Sequence, residues 1–345
     1  MTRSPDASHA AAHRFVVPEL AGPNTGGTVY NRELVGALRE RGENVALLDV
    51  TQAEHAVRAG EPGTYWIDTL FLEAVPALAA RCGDGQRVGL IAHYLPGLVR
   101  YGADVTRHEL SPAEVAALDG ARAFLAPSAF MRATLVGLGA PERAVAVVEP
   151  GTFATGLAAV PAHSAALRAL VVAHLVVGKG VDRFLSALAT RIEADDRLTL
   201  EVVGSIDADA AYASACRVFS TAPSLRERVT LAGALTPTEV VARLATSDLL
   251  LSASRVESFG MALAEARTLG VPIVARRGGN VENLVAPESG GELVADAASV
   301  ATACITLCRD PVELGARRAA ARKNARPART WTRVADEFLE RTREL

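Results

Sequence analysis

The sequence predicts an α/β protein built from two doubly wound, Rossmann-like domains. Three observations predict it. Residues 14–50 read strand, helix, strand, and residues 169–275 repeat that alternation several times, the pattern of a parallel sheet covered on both faces. The run from Asp248 to Ala275 forms a complete βαβ unit, with Gly270 where a helix has to end. At 345 residues the chain is long for one core and divides naturally into domains of roughly 150 to 200 residues.

Taken in order, residues 1–13 are polar and Ala-rich with no apolar stretch, which predicts a flexible amino terminus and no secretory signal. Arg14 to Val17 reads as a short strand, Pro18 to Gly27 as a turn-rich loop, Thr28 to Arg41 as a helix closed by Gly42, and Asn44 to Val50 as the next strand. Gly26 and Gly27 at the helix start would let backbone N–H groups approach a phosphate or a sugar with no Cβ in the way. Neither a G-x-G-x-x-G nor a Walker pattern occurs there, so a nicotinamide-dependent oxidoreductase lacks its fingerprint. Val88 to Ala92 reads as a strand, which puts His93 and Tyr94 at its carboxyl end, the ligand-facing edge of an open parallel sheet. The stretches near 18–27, 51–70 and 93–112 are read as loops without a pattern that names an acceptor, and Pro150-Gly151 to about Ala166 as a linker.

The second half alternates more clearly. Leu170 to Val172 and Leu198 to Val203 read as strands, with Val181 to Arg191 and about Ala208 to Thr221 as the helices between and after them. Thr236-Pro237-Thr238-Glu239 is a capping box with Pro at the first helical position, ahead of Val240 to Ser247. Leu249 to Leu251 is a buried strand, Met261 to Leu269 a helix and Val271 to Ala275 another strand, while Trp331, Val334, Phe338 and Leu339 stripe a final helix. Asp207-Ala-Asp209 resembles a metal-binding D-x-D. Its place at a helix start favours N-capping, and no essential divalent ion is expected.

Half of the residues are hydrophobic, enough for two cores, and no run approaches the length of a membrane span, so a cytoplasmic protein without a transmembrane segment is expected. The net charge of −3 gives no general hold on nucleic acid or an anionic membrane. A local basic run, Arg317, Arg318, Arg322, Lys323, Arg326, Arg329 and Arg333, reads as a solvated helix face and loop. Cys82, Cys216, Cys304 and Cys308 form no disulfide or metal framework. Cys304 and Cys308 share a helix face among Ala, Ile and Leu and read as core.

The chemistry concentrates at Glu257 and Glu265, eight positions apart around a Ser-Phe-Gly turn. Glu257 falls in the loop at the carboxyl end of a parallel strand, Ser258, Phe259 and Gly260 offer amides at a helix N-terminus, and Glu265 lies about two turns in. Such a loop suits an anionic or polyhydroxylated ligand. Flanked by Met, Ala and Leu, Glu265 requires hydrogen-bond donors, because an unpaired buried carboxylate costs several kcal/mol or more. Neighbouring sugar hydroxyls would supply them, so Glu265→Gln is expected to weaken nucleotide binding and leave the fold intact.

E-S-F-G-M-A-L-A-E-A resembles the E-x7-E signature of the retaining glycosyltransferases of family four. The likeness includes A-H-L-V-V-G-K-G-V-D-R-F-L at 173–185, E-V-V-G-S at 201–205, V-T-L-A-G-A-L at 229–235, V-V-E-P-G-T at 147–152 and P-N-T-G-G-T-V-Y-N-R-E-L-V-G-A-L-R-E-R-G at 23–42. It implies the GT-B fold, two Rossmann-like domains facing across a cleft: an acceptor-binding domain over 14–155 with a returning helix at about 331–345, and a nucleotide-sugar domain over 166–330. It implies a hexosyltransferase acting with retention on a UDP-, GDP- or dTDP-sugar and a small-molecule or glycan acceptor, with closure about the ligand and no cofactor beyond the donor. By the same likeness Lys179 contacts the diphosphate, Glu257 a hydroxyl of the transferred sugar and Glu265 the ribose. Ser258, Phe259, Gly260, Gly26, Gly27, Gly204 and Leu235 complete the donor site, and His93 touches the donor sugar. His174 stands where the family has Arg, so the phosphate clamp is expected to be weaker, pH-dependent, or completed by Arg255 or Arg183. Three other readings stay open: a non-catalytic sugar-nucleotide-binding subunit, an inverting transferase with His93 as base, and an epimerase or phosphorylase on a similar frame.

Overall fold

The computed structural model describes residues 13–21, 25–159 and 166–345. The expectations for residues 1–12, for the motif residues Pro23 and Asn24 and for the 160–165 part of the linker lie outside the described residues. Among the described residues, twelve strands form two sheets, each of six strands and each parallel throughout. The chain divides into two compact units, one running to Gly151 and resuming at Arg329–Leu345, the other Thr152–Ala328.

In the first unit the strands are β1 (His13–Val16), β2 (Val45–Leu48), β3 (Gly63–Asp68), β4 (Gln86–Ile91), β5 (Ala123–Ala126) and β6 (Val145–Val147), in the order β2-β1-β3-β4-β5-β6. Strand β3 falls in the stretch read as a loop. Its residues Tyr65, Trp66 and Ile67 are fully buried, so the alternation that marks a half-exposed strand is absent. Val50 does not extend β2. Asp49 accepts from the Gln52 amide and Gln52 returns the bond, a capping box that starts the helix Val50–Arg58 instead. The helix Gly26–Glu40 starts two residues earlier than expected, because Thr25 accepts from the Thr28 amide.

The carboxy-terminal helix Trp331–Thr342 packs in this unit against Gly26–Glu40. Val334, Ala335 and Phe338 are fully buried, and the Phe338 ring lies 5.8 Å from Phe15 and 5.6 Å from Trp66. Burial of such a side chain contributes roughly 2–3 kcal/mol.

The second unit holds β7 (Leu167–Val172), β8 (Leu198–Val203), β9 (Val229–Gly233), β10 (Leu249–Ser252), β11 (Ile273–Arg276) and β12 (Glu292–Val294), in the order β12-β11-β10-β7-β8-β9. One face is covered by a core that includes Phe184, Leu188, Cys216, Val300 and Cys304, and the other by one that includes Leu263, Ala266, Leu269 and Leu284. The helices Val181–Arg191 and Met261–Leu269 have the bounds read from sequence, and Gly270 closes the latter in the left-handed region at φ 73°. Thr236 and Glu239 form the expected box before Pro237–Thr246. Lys323, Arg326 and Arg333 of the basic run are exposed, as a solvated face requires, but most of the run is tied to partners. Arg317 pairs with Glu292 and Glu313, Arg318 with Asp248, and Arg329 and Arg333 with Glu337, while Arg322 and Arg326 donate to the Ala158 and Asn283 carbonyls.

Candidate active site

In the second sheet the chain leaves β7 for β8 and β9 on one side, then crosses to β10, β11 and β12 on the other. The carboxyl ends of β7 and β10 therefore flank the point where strand order reverses, and ligands of open α/β sheets bind outside such a point. His174 and Lys179 follow β7, and Glu257, Ser258, Phe259 and Gly260 follow β10. Lys179 Nζ lies 2.7 Å from Glu257 Oε1, with 28% and 18% of the two side chains exposed, so the pair is reachable but partly shielded. The Arg255 amide donates to the Gly178 carbonyl at 2.9 Å and ties the two loops together.

The Glu257 loop is held by a segment that sequence reasoning passed over. The Asn280 amide donates to the Glu257 carbonyl and the Asn280 side chain to the Phe259 carbonyl, both at 2.8 Å, with Asn280 buried. Glu257 also forms an isolated parallel bridge with Gly279. Gly260 takes φ 90° and hands the loop on to Met261–Leu269. The Gly278-Gly279-Asn280 sequence after a strand was the available signal.

Glu265 lies on that helix at 4% exposure, and its two oxygens accept from the Phe153 and Ala154 amides at 2.7 and 2.8 Å. The donors that its burial demands thus come from the protein's own backbone and not from the expected sugar hydroxyls. Burial pushes the carboxyl up from its ordinary value and the two amides pull it back.

His174 Nδ1 accepts from the Ser205 amide at 2.9 Å, so in the neutral ring the proton resides on Nε2. Gly204 makes this possible: at φ 155° it passes so close to β7 that a Cβ would lie 2.0 Å from the Ala173 carbonyl oxygen. Asp209 caps the helix Ala210–Ser220 through the Tyr212 amide, and the Asp207 amide bonds Ser205. Leu235 follows β9 and is half-buried against the apolar face. Arg183 and Arg255 both act on the charge of Arg276 at the end of β11, whose Nε is buried without a partner.

The first unit carries a second cluster. Gly26 and Gly27 begin the helix after β1, and a Cβ on Gly27 would lie 3.0 Å from the His93 ring. His93 follows β4 with 9% of its side chain exposed, and its Nε2 lies 2.8 Å from Asn31 Oδ1 and 3.5 Å from Asp68 Oδ2. Asn31 Nδ2 donates to Asp68 Oδ2 at 2.6 Å, and Asp68 Oδ1 accepts from the Leu70 amide. Burial lowers the His93 pKa, against a smaller upward pull from Asp68. Asn31 and Asp68 went unrecognised because the former sits mid-helix and the latter ends the unassigned strand β3.

Residues 166–310 match the family model described as glycosyl transferases group 1. The matched stretch lies wholly within the second unit, Thr152–Ala328. A GDP-mannose-dependent monoacylated alpha-(1-6)-phosphatidylinositol monomannoside mannosyltransferase of Corynebacterium glutamicum is 29% identical over 168 residues, 46% of this chain and 42% of that protein. A D-inositol 3-phosphate glycosyltransferase of Segniliparus rotundus is 33% identical over 118 residues, 34% of this chain and 26% of that protein. The chain thus spans less than half the length of these two curated relatives. Among solved structures, Anabaena HepE in complex with UDP and glucose aligns with a TM-score of 0.76 at 16% identity, over 97% of this chain and all of that one. Sucrose-phosphate synthase from Thermosynechococcus elongatus aligns with a TM-score of 0.77 at 18% identity, over 96% and 98%. At these identities the likeness carries the fold, which is GT-B.

Proposed function

We propose that the protein is a glycosyltransferase that moves a hexose from a nucleotide-diphosphate sugar to an acceptor hydroxyl, with retention of anomeric configuration. The observation that carries the reading is the Lys179–Glu257 pair at the strand-order reversal of the stretch that matches the glycosyl transferases group 1 model. Cleaving the anomeric carbon–oxygen bond builds positive charge on the sugar and negative charge on the departing diphosphate. Lys179 neutralises the diphosphate, the His174 Nε2–H donates to it, and Glu257, once released from Lys179, holds a sugar hydroxyl and faces the developing cation. Glu265, already holding two amides, keeps lone pairs for ribose hydroxyls. The GDP-mannose of one relative's name and the UDP of one neighbour's complex support a nucleotide-diphosphate donor.

Inversion with His93 as base is the second reading, favoured by the carboxylate 3.5 Å from its ring. Incubating the purified protein with UDP-glucose, GDP-mannose and dTDP-glucose beside a panel of glycoside and polyol acceptors, and reading the anomeric coupling of the product by NMR, tests both. An α-linked product supports retention, a β-glucoside from UDP-glucose inversion, and no nucleotide release from any donor counts against the enzyme.

A further inference from the structure

The Asn31–Asp68–His93 cluster fixes more than the position of a ring. Asp68, as a carboxylate, only accepts hydrogen bonds, and Asn31 is 2.6 Å from its Oδ2, so the Asn31 amide must turn its NH2 toward Asp68. That leaves the Asn31 carbonyl oxygen, also an acceptor, 2.8 Å from His93 Nε2. Nε2 therefore has to be the donor. Asn31 is fully buried and Asp68 is 2% exposed, so no solvent exchange relaxes the order of donors and acceptors. The neutral His93 ring then bears its only lone pair on Nδ1, for which no partner exists among the described residues.

We infer that Asp68 and Asn31 are positioning residues that lock His93 as the Nε2–H tautomer, making Nδ1 an acceptor that takes a neutral hydroxyl of the sugar ligand and turns away phosphate oxygens. The geometry supports it at both ends. Asp68 ends β3 and His93 follows β4, two neighbouring strands, while Asn31 reaches them from the helix that starts at Gly26. The absence of a side chain at Gly27 lets the helix start pack against the Cδ2 edge of the ring, where a Cβ would lie 3.0 Å away, on the side of the imidazole opposite Nδ1. The Tyr30 ring, 5.1 Å away at 73°, braces the imidazole from the same helix. A lone pair on Nδ1 repels an anionic oxygen and attracts a hydroxyl proton, so the cluster discriminates between the two halves of a sugar phosphate.

A sign follows for protonation. Asp68 is the charged group that acts on His93, with the Tyr30 ring the other neighbour, and burial disfavours the imidazolium. Converting Nδ1 to a donor therefore requires acid, and removing the Asp68 charge makes that conversion harder.

The inference rests on the glycosyltransfer reading only for the identity of the ligand, and its test separates the two. Imidazole nitrogen NMR of uniformly labelled protein, with His93→Gln to assign the signal, reads the tautomer with no ligand present. At pH 7.5 the expected pattern is a protonated Nε2 and an unprotonated Nδ1. A protonated Nδ1, or a tautomer average, overturns the lock. Asp68→Asn, checked for an unaltered amide spectrum, should move the His93 titration to lower pH. An unchanged midpoint gives Asp68 no positioning role. UDP-glucose should shift the Nδ1 signal and inorganic phosphate should not, and a shift by phosphate, or UDP-glucose binding without a shift, overturns the acceptor role. If neither UDP-glucose nor GDP-mannose perturbs any amide signal, the donor reading fails while the tautomer still decides the lock.

Discussion

The ammonium of Lys179 and the carboxylate of Glu257 stand 2.7 Å apart, 78 residues distant in sequence, where the β7 and β10 loops emerge side by side. A diphosphate that takes Lys179 has to break or share this pair, so the two residues oppose each other in ligand binding. Glu257→Gln is expected to tighten binding of the free nucleotide diphosphate about three- to tenfold, the value of about 1 kcal/mol of released competition, while sugar transfer falls at least tenfold. Calorimetric titration beside a nucleotide-release assay checks both halves. Weaker nucleotide binding in the variant would show that Glu257 does not restrain Lys179.

Glu265→Gln now carries a stability cost that the sequence did not foretell. The glutamine carbonyl satisfies one of the Phe153 and Ala154 amides, but its NH2 faces the other, so one buried N–H loses its acceptor. The loss expected is about 1–3 kcal/mol, read as a lower denaturant midpoint for the second unit. An unaltered midpoint would mean the amides find other partners.

Asn280→Ala removes the donor to the Phe259 carbonyl and leaves the main-chain bond to Glu257 in place. The loop should loosen without global unfolding. KM for the donor is expected to rise several-fold with a smaller change in kcat, whereas an equal fall in kcat with KM unmoved would place Asn280 in the chemical step.

His13 makes acid a weakness of the first unit. Burial and the nearby Arg87 lower its pKa from 6.5 to about 4, and its Nδ1 accepts from Trp66 Nε1. The unfolded chain takes up a proton below about pH 6.5 that the folded unit refuses until about pH 4. Stability should therefore be complete above that window and fall through it, by on the order of 3 kcal/mol, then level off. Urea unfolding from pH 7.5 to 4 should show this slope and His13→Gln should flatten it. Equal slopes would locate the acid sensitivity elsewhere.

Much of the second unit was legible because its signals are local. The Thr236 box, Gly270 after Met261–Leu269 and the Val181–Arg191 helix each announce themselves within a few residues. Strand β3 was not, since Tyr65, Trp66 and Ile67 are all buried and show no alternation. In the site, the loops bearing Lys179 and Glu257 could be found from sequence, but the partners of Glu265 and His93 could not. Phe153 lies 112 residues from Glu265 and Asn31 lies 62 from His93, separations that only the strand order closes. That Glu265 is buried was deducible from its apolar neighbours. Which donors satisfy it was not, because backbone amides leave no mark in a sequence.

The proposed function requires the second unit to grip a nucleotide diphosphate through Lys179. Titration calorimetry of UDP, GDP and dTDP into the wild-type protein and into Lys179→Ala reads that grip. One nucleotide should bind the wild type and lose at least tenfold in affinity in the variant, about 1.4 kcal/mol. Binding of none of the three, or equal affinity in the two proteins, would contradict it.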